Sequence, residues 1–152
     1  MSTAPAPTTV AIDGYRFSAP SRVEIADTDL GAVVYYGRYP LHVDRGVLAY
    51  RRHLGIPALG PEGHLFVVRR LEVEYRSSAR FDEELEVFVR TAELGRTSHT
   101  AQVLIARPGD AGPEPVAEAR LVIVGLDGYG GRPSRMPGGM RDAIAAFEGL
   151  AA

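Results

Sequence analysis

One long apolar stripe, set among strand-like segments, constrains this chain more than any other feature. Tyr39, Val43, Val47, Tyr50 and Leu54 recur at steps of four, four, three and four residues, the spacing of one face of an amphipathic helix. Leu41 and Leu48 widen the face, so the helix is expected to be well buried, and Gly55 and Pro57 end it. Before it, Tyr15 to Ala26 reads as a strand, with Val23 and Ile25 alternating with Arg22 and Glu24. Pro20 makes the first half of that strand an edge or a bend. After the helix and a Gly- and Pro-rich loop, four stretches read as strands. They are Leu65 to Arg76, Glu84 to Leu94, Thr97 to Arg107 and Val116 to Leu126. In the first of these, Leu65, Val67, Leu71, Val73 and Tyr75 are expected on one face, with Arg69 as the exception. The gap at Leu94 to Thr97 suits a tight hairpin and Pro108 to Pro115 a longer one. A short amphipathic helix near Met140 to Leu150 closes the chain.

A sheet with one apolar face must cover it, and only one long helix is on offer. The expected class is therefore α+β: an antiparallel sheet of about five strands wrapped around one long central helix, with the last four strands as a meander. Residues 15–150 are expected to form one domain, and 1–14, rich in Pro, Thr and Ala, a disordered tail. Open sheet edges favour a homodimer, and the ambiguous outer face of the sheet leaves a dimer-of-dimers tetramer open.

Composition narrows the chemistry. A net charge of −2 gives no electrostatic footprint for nucleic acid. No apolar run is long enough to span a bilayer, and the N-terminus has neither the basic start nor the apolar core of a signal peptide. Cysteine is absent, which removes disulfides, thiolate metal sites and a thiol nucleophile together and fits a cytoplasmic protein. Lysine is absent too, so Schiff-base chemistry has no amine to use. His42, His53, His64 and His99 show no metal-binding spacing. Neither a metal nor a cofactor is expected.

Asp27-Thr28-Asp29-Leu30-Gly31 stands between the first strand and the helix. Aspartate is favoured at helix caps and turns, where capping contributes about 1 kcal/mol. The longer segment, Val23 to Tyr36, resembles the signature of the hotdog-fold acyl-CoA thioesterases, and most of all the 4-hydroxybenzoyl-CoA thioesterase family. In that signature an acidic residue, a small residue and Asp precede a Gly and a short apolar run. Tyr39 and Asp44 match the family's helix positions, and Arg80-Phe81-Asp82-Glu83-Glu84-Leu85 looks like its turn into the next strand. Many relatives carry His seven residues after the Asp. This chain has Tyr36 there, as the 4-hydroxybenzoyl branch does.

The resemblance implies hydrolysis of an acyl-CoA thioester, with Asp29 as nucleophile or as general base on water. Backbone N–H groups around Tyr35, Tyr36 and Gly37, at the start of the helix, would form the oxyanion site. Tyr36 would also line the acyl pocket. Asp27 is left as a cap or supporting residue. Arg96, Thr97 and Ser98 occupy the hairpin where the family places CoA phosphate contacts, and Arg70, with Arg69, is a second candidate. Arginine suits phosphate because its planar fork donates two hydrogen bonds at once. An acyl-carrier-protein thioester is the alternative substrate. A hydratase is disfavoured because its paired His and carboxylate pattern is missing, and an acyl-binding module without catalysis would not need Asp29.

Overall fold

The computed structural model describes residues 12–61 and 63–152. Five strands form one antiparallel sheet: β1 (Ser18–Arg22), β2 (Leu65–Tyr75), β3 (Glu84–Leu94), β4 (Ser98–Arg107) and β5 (Glu114–Leu126). Helix α1 (Tyr39–His53) lies between β1 and β2 in the chain, and α2 (Gly138–Glu148) follows β5. The order across the sheet is β1-β3-β4-β5-β2.

Helix α1 begins and ends where its sequence dictates. Pro40 sits in the first turn, where its missing N–H costs nothing, and Gly55 takes a positive φ of 72° just past the end. The stripe Tyr39, Val43, Val47 and Tyr50 is buried against the odd-numbered residues of β3, β4 and β5, such as Val87, Val103 and Leu121. Each fully buried side chain of this size contributes roughly 1.5–3 kcal/mol. Gly46 lets the helix approach closely, because a Cβ there would lie 2.4 Å from Val87 Cγ1. On the other face, Phe88, Leu104 and Ala106 form a smaller cluster covered by Ile12 and Tyr15. Residues 12–14, which the composition assigns to the tail, thus form a turn that packs on the sheet, with Tyr15 N–H donating to Ile12 O at 3.0 Å. The rest of that tail lies outside the described residues.

Three expectations need correction. First, β1 is short: Ile25–Asp27 forms a 3-10 turn rather than continuing the strand. Second, only β3, β4 and β5 form a meander, because β2 pairs with β5 at the far edge. The segment between β2 and β3 cannot close a hairpin since its backbone is engaged elsewhere. Ser77 N–H goes to Val116 O, Val34 N–H reaches Ala79 O at 2.8 Å and Phe81 N–H reaches Ala32 O. Arg107 clamps this crossing segment by donating to Glu83 Oε1 at 2.5 Å and to Ser78 O at 2.7 Å. Third, the apolar residues of β2 do not share one face. The register slips between Val68 and Arg70, so Arg69 is the extra residue of a β-bulge. Val68, Leu71 and Val73 pair with Ile123, Leu121 and Ala119 on the helix side, while Leu65 and Val67 pair with Leu126 and Val124 on the other. A one-residue insertion flips every side chain beyond it.

Candidate active site

The site is built where the chain turns from β1 into α1. Glu24 N–H donates to Asp27 Oδ2 at 2.8 Å and closes the 3-10 turn. The Asp27 carboxylate is 2% exposed and lies 3.2 Å from His42 Nε2, off the axis of a well-formed hydrogen bond. Ser21 Oγ is 2.7 Å from His42 Nδ1. With the Ser21 hydroxyl donating to Nδ1, the Nε2 proton faces the carboxylate. Burial holds the His42 pKa below its ordinary value, against the opposing pull of Asp27, so the imidazole is neutral near pH 7. Asp27 is therefore a buried pin that joins β1, the 3-10 turn and α1, in keeping with the capping role its sequence suggested.

Asp29 follows on a small hairpin. Thr28 and Val34 form an antiparallel bridge, Asp29 N–H donates to Val33 O at 3.0 Å, and Ala32 N–H returns to Asp29 O at 3.0 Å. Ala32 takes a φ of 58° to close it, a conformation costly for a residue with a Cβ. The Asp29 carboxylate accepts the Gly31 N–H on Oδ1 at 2.8 Å, which orients the group. Asp29 is exposed in the single chain.

The other wall is the approach to α1. Tyr36–Arg38 is a 3-10 turn leading directly into the helix. Tyr35 N–H is taken by Asp27 O at 2.9 Å and Arg38 N–H by Tyr35 O at 2.8 Å. Among the described residues, the N–H groups of Tyr36 and Gly37 have no acceptor, as expected of a helix start. Tyr75 Oη donates to Tyr36 O at 2.9 Å and fixes the turn. The Tyr35 and Tyr36 rings lie 4.6 Å apart, both largely exposed. The Tyr35 ring lies over Gly37, where a Cβ would meet its Cε1 at 2.8 Å. The fold thus brings Asp29, Tyr35, Tyr36 and Gly37 to one corner.

The basic candidates lie elsewhere in the same chain. Arg96, Thr97 and Ser98 form the hairpin between β3 and β4, closed by Gly95 N–H to Ser98 O at 2.7 Å. The Asp29 hairpin sits against Arg80, just before β3 begins, so the 11 residues of β3 separate it from Arg96 by roughly 35 Å. Arg96 borders a surface groove with Arg135 and Arg141. Sequence reading did not single out either of these, because the proximity comes from the start of α2 folding back on the hairpin. Arg70, on β2, pairs with Glu72 at 2.5 Å. Asp44 makes no ion pair among the described residues, and its neighbour Arg45 turns to Glu24. Instead, Asp44 borders a cavity of about 480 Å³ between α1 and β2, which Arg51 also lines. Burial raises the Asp44 pKa and Arg51 partly offsets that. No group of His, Asp and Glu among the described residues is arranged to hold a metal ion, and none of the described helices is long and apolar enough to cross a membrane.

A five-stranded antiparallel sheet packed on one long helix is the architecture of the hotdog thioesterases. The chain belongs to the thioesterase superfamily, whose family model matches residues 31–114, and it is a thioesterase. It is 33% identical to the acyl-CoA thioester hydrolase YbgC of Escherichia coli over 134 residues, 87% of this chain and 96% of that one. A thioesterase from Thermus thermophilus, solved in complex with coenzyme A and Zn, is 28% identical with a TM-score of 0.78, covering 92% of this chain and 100% of that one. An Asp-to-Asn variant of 4-hydroxybenzoyl-CoA thioesterase, solved with 4-hydroxybenzoyl-CoA, has the same fold at 19% identity and a TM-score of 0.76, covering 84% of this chain and 97% of that one.

Proposed function

We propose that this thioesterase hydrolyses acyl-CoA thioesters to a free carboxylic acid and CoA at the Asp29 corner. One observation carries the reading. The Thr28–Val34 bridge and the Asp27–Tyr35 backbone bond tie the Asp29 carboxylate to the turn that offers the free N–H groups of Tyr36 and Gly37. A carboxylate and a pair of unsatisfied donors at a helix start are what thioester hydrolysis requires. The E. coli relative, an acyl-CoA thioester hydrolase, supports the substrate class.

The thioester carbonyl oxygen would accept the Tyr36 and Gly37 N–H groups, and the positive end of α1 would stabilise the charge it develops. In one route an Asp29 oxygen attacks the carbonyl carbon, the C–S bond breaks, CoA leaves as a thiolate, and water then opens the mixed anhydride. In the other, Asp29 takes a proton from water and the resulting hydroxide attacks. Single-turnover hydrolysis in ¹⁸O-labelled water tests the anhydride route: when water opens the anhydride at the Asp29 carbonyl, label stays in Asp29, which the base route never gives.

The chain acts as a homodimer in this reading. β2 is an open edge with Val67, Val68, Leu71 and Tyr75 exposed, a surface that calls for a second strand. Antiparallel pairing of two β2 edges sets the Leu65 end of one chain beside the Tyr75 end of the other. The Arg96 hairpin of the partner then comes level with this chain's Asp29 corner, at the end of the sheet where CoA phosphates would lie. Sedimentation should give twice the mass of 16.4 kDa, and Val68→Asp should yield an inactive monomer. A fully active monomer would remove the dimer from the account.

The deciding experiment is thiol release from acyl-CoA set against release from the same acyl group on a carrier protein. Preference for CoA, lost on Arg96→Ala through a raised KM, is the expected result. Preference for the carrier protein, unaffected by Arg96→Ala, would replace CoA as substrate.

A further inference from the structure

The cavity between α1 and β2 is largely apolar. Val47, Leu48, Phe66, Val68 and Leu121 contribute to its walls, and Leu59 and Tyr129 stand exposed at its rim. The charged side chains among its described lining are Asp44 and Arg51, seven residues apart on one face of α1 and so roughly 10 Å apart along the axis. Asp44 is nearer the helix start; Arg51 lies deeper, towards the helix end. In the β2-paired dimer proposed above, the Leu65 end of β2, with the cavity beside it, would lie level with the partner's Asp29 corner.

Arg51 is 9% exposed. Its guanidinium stacks over the Phe66 ring at 4.2 Å and donates one hydrogen bond, to Ala58 O at 2.9 Å. None of the ion pairs among the described residues includes it. Two buried imidazoles face the same ring, His64 at 5.2 Å and His99 at 5.9 Å between centroids. Among the described residues, no acidic group forms an ion pair with any of these three basic side chains. Burial lowers the Arg51 pKa to about 10, and among the described residues Asp44 opposes the shift. The negative end of α1 offsets part of the charge, and Ala58 uses one of five N–H donors. The rest of a buried cation's donors, in an apolar chamber, call for an anion.

We propose that this cavity receives the substrate's acyl chain and that Arg51 selects acyl groups carrying a second carboxylate at the far end, the monothioesters of dicarboxylic acids. The proposal rests on the acyl-CoA reading above and names the substrate class within it. An aliphatic chain satisfies the apolar walls, and its terminal carboxylate meets the buried guanidinium that lines them.

The test compares suberoyl-CoA with octanoyl-CoA, and adipoyl-CoA with hexanoyl-CoA, by kcat/KM and by affinity for the non-hydrolysable thioether analogues. Wild type should favour the carboxylated member of each pair by at least about tenfold. Arg51→Gln should erase or invert that preference, lowering kcat/KM for suberoyl-CoA at least about tenfold more than for octanoyl-CoA. Arg51→Lys, which keeps the charge, should retain part of it and guards against a folding defect in the first variant. Equal or better use of the uncharged chain by wild type overturns the proposal and leaves the acyl-CoA reading intact. Preferential binding of the carboxylated analogues without turnover of any acyl-CoA supports the site and overturns the catalytic reading instead.

Discussion

His42 Nε2 and Asp27 Oδ2 stand 3.2 Å apart with neither side chain more than 3% exposed. This contact connects α1 to the turn that carries Asp29 two residues later. Truncating Asp27 leaves the Glu24 N–H unpaired and removes the carboxylate facing His42. Asp27→Ala should therefore destabilise the fold by about 2–4 kcal/mol, read from denaturant midpoints at constant slope. Asp27→Asn keeps an acceptor for Glu24 and should cost about half as much. Equal stability of both variants with wild type would show that the pin is idle.

Buried imidazoles make the fold acid-sensitive. Burial holds His42, His64 and His99 below the ordinary histidine range, and His99 falls to about 4, helped by Arg51 and His64. The unfolded chain binds these protons near pH 6.5, while the folded chain resists them until lower pH. Over that interval the unfolded state holds more protons, so stability is full above about pH 6.5 and falls as pH drops towards about 4. Glu83, held below its usual value chiefly by Arg107, extends the loss further down. Chemical denaturation across this range should show the decline, and His99→Gln should flatten it. A stability that is level between pH 7 and pH 4 would contradict the burial of these groups.

Gly46→Ala sets two effects against each other. Alanine gains up to ~1 kcal/mol in helix propensity, but its Cβ would sit 2.4 Å from Val87 Cγ1 and 3.1 Å from Val89 Cγ2. Overpacking of this kind costs about 1–3 kcal/mol, so net destabilisation is expected. Val87→Ala in the same chain should relieve the clash, giving a double variant less destabilised than the sum of the two single changes.

Much of the fold is legible from periodicity. The spacing of Tyr39, Val43, Val47 and Tyr50 places α1 and its buried face, and the alternation of Leu85, Val87 and Val89 places β3. What periodicity misses is what depends on remote backbone partners. Nothing local announces the bulge at Arg69, although its charge in an apolar row marks the position where the faces switch. Nothing local shows that the segment from Arg76 to Glu83 crosses to the other edge, because its hydrogen bonds go to Val23, Ala32 and Val116. The Asp29 motif is visible as a resemblance, but the unsatisfied donors of Tyr36 and Gly37 appear only once Asp27 has taken the Tyr35 N–H. Arg51 reads as one more arginine on a helix until the loop through Ala58 and the ring of Phe66 enclose it.

The most direct test of the central claim is thiol release by Asp29→Asn beside wild type, on a panel of benzoyl-, phenylacetyl- and aliphatic acyl-CoA thioesters. The substitution keeps an oxygen for the Gly31 N–H, so the hairpin and the thermal midpoint should be unchanged. The account predicts a fall in kcat of roughly 10²–10⁴-fold with little change in KM. Turnover by Asp29→Asn equal to that of wild type would contradict it and leave Asp29 as a turn residue alone.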